Sequence, residues 1–304
     1  MTSAGRGTPE DAGAETSRFE RARRWAAARR ADTDRLAERA QGERTRHRSV
    51  DAVFEMVDRD GEVGGGIIAG ALAYRLFIWL LPLALVLVAG LGIAADANSE
   101  SPQEAAETLG VQGLISNSIA SAADSPNRWY ALLIGIPILV WVTRSVLRVL
   151  IGAHRLIWYD ERSAAPKPKL VPALMLLGLL LGLGAVSTVA SAARAWSAGP
   201  GLVVTLVALV FYSGIWLLVS ARLPHRGTDW TALIPGAAVF GVGIELLHVV
   251  VAYFITPYAL AKEGTYGALG IAAALLVGLF LVSRVVVFAA VVNATLAERR
   301  ARTA

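Results

Sequence analysis

Six long apolar stretches, at about 67–95, 129–151, 171–193, 201–221, 231–254 and 267–296, decide what this chain can fold into. Each is long enough to cross the roughly 30 Å of a bilayer core at about 1.5 Å per residue. Lipid offers the backbone no hydrogen-bond partners, so a stretch that stays in it must satisfy its own N–H and C=O groups as a helix. Composition agrees with that reading: 55% of the 304 residues are hydrophobic, 17% are charged and the mean hydropathy is +0.53, too apolar for a water-soluble domain. The expected fold is an all-α, polytopic membrane protein whose six transmembrane helices occupy 64–297, followed by a short tail at 298–304.

Orientation follows from lysine and arginine in the short flanks. Arg155, Arg162, Lys167 and Lys169 follow the second stretch, Arg222 and Arg226 follow the fourth, and Arg299, Arg300 and Arg302 follow the sixth. The opposite flank between 96 and 128 has Arg128 against Asp96, Glu100, Glu104, Glu107 and Asp124. Both termini are therefore expected in the cytoplasm, with the chain in the inner membrane of the cell. In that longest outer loop, Pro102 and the following EAAETLGVQGLISNSIASA predict an amphipathic helix lying on the outer surface.

Residues 1–62 hold thirteen arginines against thirteen acids, so the formal charge of +5 does not come from this region and does not signal a nucleic-acid partner. Its polar opening lacks the apolar core of a signal peptide, and the tail is expected to stay attached. Within residues 1–48, the part from Arg18 to Arg48 carries eleven arginines and five acids among many alanines, which predicts a solvated helix suited to anionic lipids. Val50, Val53, Phe54 and Val57 then recur at i, i+3, i+4 and i+7, predicting an interfacial amphipathic helix over 49–63. The glycines at 64–66 provide the bend into the membrane.

Enzyme signatures are missing. There is no phosphate-binding GxxxxGK[ST], no HExxH and no GxSxG, cysteine is absent, and the four histidines are scattered. Glu245 and His248 share a helix face, but a second such pair to complete a di-metal site is missing. No cofactor or metal and no catalytic activity is expected. Gly66/Gly70 and Gly178/Gly182 have the spacing that permits close helix approach.

Ionisable residues inside the spans carry the most information, because a charge at depth is retained only when paired, solvated or needed. Arg75, Arg144, Arg148, Glu245 and Arg284 qualify, with Tyr74 and Tyr266 placing hydroxyls nearby. Counting residues from each span's start puts Arg75, Arg144 and Arg284 in the inner half, Arg148 near the inner interface and Glu245 beyond the midplane. One reading is structural, with Arg144 and Arg148 reaching the headgroups and Arg75 paired to Glu245. The other is a cationic, water-filled vestibule that receives an anionic solute or lipid headgroup, lined by Arg75, Arg144, Arg284, Glu245, Tyr74 and Tyr266. Pro82 and Pro137 inside spans and Pro235-Gly236 at the head of the fifth add places where a helix can kink.

At AGALAYRLFIWLLPLALVLVAGLG, with Ala73-Tyr74 and Pro82, the chain resembles the YihY/BrkB family of bacterial membrane proteins, once labelled ribonuclease BN. RLPHRGTDWTALIPGAAVFGVGIELLHVVVAYF and GTYGALGIAAALL are similar to that family's later segments, in the same order, and the resemblance covers about 50–297. It implies six helices with a transport or envelope role. Three positions depart from the pattern: Trp79 in place of serine, His154 in place of asparagine, and Ala-Ala-Val-Val-Asn-Ala at 289–294 where the family carries a glutamate. The old ribonuclease label fits poorly, since metal-dependent cleavage needs clustered histidines and acids.

Two functions are compatible with these residues: a permease or exporter of an anionic small molecule or lipid, and a non-transporting envelope scaffold that organises lipids or partner proteins. Topology is directly testable. A fluorescent-protein fusion at Ala304 is expected to glow and alkaline phosphatase inserted near residue 110 is expected to be active; the reverse pattern would invert the orientation read from the flanks.

Overall fold

A computed structural model of the chain describes residue 25 and residues 48–98, 128–196, 201–226, 229–251 and 256–303. Among these no strand occurs. The helices are α1 (Arg48–Glu62), α2 (Gly65–Asn98), α3 (Arg128–Tyr159), α4 (Leu170–Trp196), α5 (Gly201–Arg222), α6 (Ile234–Val250) and α7 (Thr256–Thr303), with a 3-10 turn at Trp230–Leu233 before α6. Six of them, α2 to α7, contain segments long and apolar enough to cross a membrane, as the six stretches predict. Residues 1–57 and 58–304 form two separate units. The described end of the first is the opening of α1, a helix where the valine and phenylalanine spacing predicts one; the second contains the bundle. The helix expected in the first outer loop lies outside the described residues.

The glycines after α1 act as expected. Gly64 takes a left-handed backbone, φ +67°, that costs glycine little, and its carbonyl accepts the N–H of Ile67 at 2.8 Å to open α2. Pro235 sits in the first turn of α6, where its missing N–H is harmless. Pro82 and Pro137 fall inside α2 and α3, each assigned as one continuous helix. Two helices overrun their apolar stretches: α3 continues to Tyr159 and α7 to Thr303. Their extra turns carry Arg155 and Glu298, whose ion pairs give polar helix a reason to persist beyond the apolar run.

Neighbouring helices pack in chain order from α2 to α6, and α7 closes the ring by packing on both α6 and α2. The core between them gathers Leu72, Trp79, Val146, Trp216, Phe240 and Ala289. Large apolar residues also cover the outside: Ile67 is 82% exposed, Leu133 71%, Trp141 70% and Val210 67%, a surface that suits lipid and not water.

Close approach depends on specific glycines. A Cβ on Gly236 would strike the carbonyl oxygen of Ala289 and come within 2.5 Å of the Asn293 amide. One on Gly241 would strike Ser213 Oγ and lie 2.9 Å from Leu209 O, and one on Gly243 would lie 2.6 Å from Val285 Cγ1. Thus α6 is clasped between α5 and α7 through its glycines. The spaced pairs Gly66/Gly70 and Gly178/Gly182 do not play that part, since a Cβ at any of the four would meet nothing within 4 Å. Their faces lie away from the helix contacts, so spacing alone misplaced the close approaches.

Gly236→Val is therefore expected to lower stability by about 1–3 kcal/mol, the usual range for overpacking, whereas Gly182→Val leaves it within about 0.5 kcal/mol. Thermal unfolding of the detergent-solubilised chain followed by tryptophan fluorescence would show the contrast, and equal midpoints for the two variants would refute it.

Candidate functional site

The charged end of the bundle is assembled by a short stretch of α1. The Arg59 guanidinium donates to both Glu298 carboxylate oxygens, at 2.7 and 2.9 Å, and to Ile157 O at 2.6 Å, so it joins α7 and α3. Arg226 and Arg302 stand 3.8 and 3.9 Å from the same carboxylate. Asp60, the next residue, accepts two hydrogen bonds from Arg284, at 3.1 and 2.8 Å. Gly65 makes room for this pair: a Cβ there would strike the Asp60 carboxylate and approach Arg284 Nη1 to 2.9 Å.

The segment after α3 doubles back along it. Ala165 Cβ lies 3.6 Å from where a Cβ on Gly152 would be, Ala165 O accepts from Arg148 Nε at 3.0 Å, and Pro168 O accepts from Arg144 Nε and Nη2 at 3.1 and 2.8 Å. These acceptors are neutral carbonyls, so the contacts that hold the turn supply neither arginine with a counter-charge. At the start of the same segment Asp160 adopts φ 51°. Hydrogen bonds from Arg155 and Ser163 hold the carboxyl of Glu161 below the usual carboxylate range.

An apolar crevice too narrow for a water molecule runs along Ile68 and Leu72 of α2, Val149 to Ile157 of α3, and Val286 to Ala290 of α7. The backbones of Arg75, Arg144, Arg148 and Arg284 lie on its far side from the charged end, spread over about one to two helical turns. Gly243 meets Val285, so Glu245, two residues further along α6, lies within about 3 Å of the level of Val285. Glu245 is buried, Arg75 and Tyr74 are exposed, and no carboxylate among the described residues is paired with Arg75.

The residues singled out from the sequence thus separate by environment. The backbones of Arg75, Arg144 and Arg284 lie within about one to two turns of each other, and Glu245 is level with Arg284. The pairing of Arg75 with Glu245 is not what the structure shows; the described ion pair of these arginines is Arg284 with Asp60, beside Gly65. Tyr74 points from the exposed face of α2, and Tyr266 lies on α7 at a position whose side chain is outside the described set. Asp60 and Arg59 escaped sequence reading because their partners stand 224 and 239 residues away.

The bundle also buries a line of polar groups. Trp79 Nε1 donates to Thr143 Oγ1 at 2.9 Å, and the threonine hydroxyl donates to Leu139 O at 2.7 Å. His154, 3% exposed, donates from Nδ1 to Leu150 O at 3.0 Å, and its ring centroid lies 6.3 Å from that of Trp216, which stacks on Phe240 at 4.7 Å. Ser213, Trp216 and Ser220, at i, i+3 and i+7 on α5, each hold a buried polar atom with no hydrogen-bond partner. Among the described residues no three histidines or acids gather as a metal site would need.

Glu298→Gln should lower stability by about 1 kcal/mol, the scale of a partly exposed charge-assisted contact. The loss should shrink in high salt. Denaturant melts at two ionic strengths would check it, and a salt-independent loss would mean that the carboxylate acts through packing instead of charge.

Residues 58–304 match the protein family described as virulence factor BrkB. No curated protein and no solved structure matches the chain. The match takes in all six apolar helices and the charged end that ties them together, so the chain belongs to the BrkB family of multi-pass membrane proteins.

Proposed function

We propose that the protein is a permease or exporter of an anionic small molecule or lipid, and that the arginine layer is the wall that attracts the anion. The observation that carries this reading is the charge imbalance among arginines on neighbouring stretches of three helices. Arg75, Arg144, Arg148 and Arg284 lie within about one and a half turns of each other, and the one described ion pair among them is Arg284 with Asp60. Arginines kept in apolar spans without matching carboxylates are expensive unless an anion visits them. The guanidinium fork suits carboxylate and phosphate oxygens equally. Glu245, buried in the same layer, serves as counter-ion or titrating partner. The unpartnered polar atoms along α5 offer hydrogen bonds to a solute or to water when the helices part.

In this reading the chain sits in the inner membrane with both termini in the cytoplasm, the layer faces the cytoplasmic side, and the Arg-rich tail rests on anionic lipids. It acts without catalysis, and with no nucleotide-binding motif in the sequence, any drive is a gradient. The dry crevice between α2, α3 and α7 supports the second reading, a scaffold that organises lipids or partners without passing a solute.

Cells lacking the protein, complemented with the intact chain or with Arg75→Gln, separate the two. Mass spectrometry is expected to find one anionic compound retained at least tenfold in the deletion and in the variant, with membrane insertion and abundance unchanged. Deleting residues 1–48 should leave most of the release intact. If release is normal in Arg75→Gln but lost with the tail, the scaffold reading replaces transport.

A further inference from the structure

Arg59 and Asp60 are neighbours of opposite charge that grip opposite charges on α7, and the two grips do different jobs. Arg59 spans Glu298 and the carbonyl of Ile157, and Glu298 is further surrounded by Arg226 and Arg302. That set holds the end of α1 in place without help from Asp60. Asp60 instead inserts its carboxylate into the Arg284 fork, with both oxygens engaged and side chains only 15% and 32% exposed.

A guanidinium presents that fork to any planar carboxylate or phosphate. Two features mark the carboxylate as removable. Arg59 anchors the end of α1 by itself, so a turn of the Asp60 side chain about its own Cα–Cβ bond can clear the fork without moving the helix. The carboxylate's seat exists because Gly65 lacks a side chain, since a Cβ there would collide with both partners. The pair sits beside Gly65, at the charged end, where the Arg284 side chain reaches down from α7, so an anion entering the bundle from that end meets this guanidinium first.

We propose that Arg284 is an oxyanion-binding site and that Asp60 is its built-in occupant, displaced by a ligand that carries a phosphate or a carboxylate. This rests on reading the arginine layer as an anion path, but the site itself is defined by the ion pair and its glycine seat. With Asp60 in place the ligand meets a site that is free only part of the time, which weakens its apparent affinity by that fraction.

The test uses the full chain in detergent for calorimetric titration with inorganic phosphate, and the full chain in zwitterionic nanodiscs doped with phosphatidylglycerol for lipid retention. Asp60→Asn should bind one of these probes at least tenfold more tightly than the wild type, and the gain should vanish in Asp60→Asn/Arg284→Gln. A gain with phosphate alone identifies a soluble anion, and a gain with phosphatidylglycerol alone identifies a lipid headgroup. Equal binding by wild type and Asp60→Asn, or a gain that survives Arg284→Gln, overturns the proposal. If Asp60→Asn fails to fold, the reversed pair Asp60→Arg/Arg284→Asp should fold and bind neither probe; binding like that of the wild type would overturn it. Cellular release is not read in these titrations, so a failure of the transport reading leaves their outcome standing, and the converse holds too.

Discussion

The hydrocarbon interior governs this molecule more than any pair of side chains. A backbone group without a partner in lipid loses several kcal/mol, so the chain is helical wherever it is apolar, and its tertiary structure is settled by how helices touch. Hydrophobic burial contributes little to that choice because lipid is as apolar as leucine. What remains is close packing and polar contact. The structure uses both: glycines of α6 let α5 and α7 approach its backbone, and Trp79 on α2 donates to Thr143 on α3.

Polar contact becomes denser towards the charged end, where water and headgroups lower the penalty for keeping charges. There Arg59 joins α3 and α7, Asp60 joins α7 again, and Tyr159 donates to His225 O at 2.7 Å to tie α3 to the connection after α5.

How much of this was legible in the sequence differs with the range of the signal. Each span announces itself through its own residues, so the number and order of the membrane helices followed directly, and Pro235 and Gly64 acted where local rules place them. Contacts between distant residues carry no such local trace. Nothing near Arg284 in the chain points to Asp60, and the GxxxG spacing of Gly178 and Gly182 says nothing about which way that face turns. Relative depth is a third case. Counting from span ends assumes that each helix begins at the same plane, but α3 and α7 run on beyond their apolar stretches, and it is the contact of Gly243 with Val285 that sets Glu245 level with Arg284.

The three positions that the family resemblance singled out have distinct physical settings. Trp79 fills a buried site and still supplies a hydrogen bond across α2 and α3. His154 satisfies one ring nitrogen on its own helix and sets its ring near Trp216, bringing α3 close to the aromatic stack of α5 and α6. In the stretch 289–294, where the resemblance leads us to expect an acid, Val291 and Val292 are buried and make no demand for a counter-charge. The retained Asn293 accepts the N–H of Gly236 at 2.7 Å, satisfying one of the unpaired donors at the start of α6. Glu245 is a carboxylate that the bundle's own helices place level with Arg284, and Asp60 is one that the end of α1 delivers to the Arg284 guanidinium.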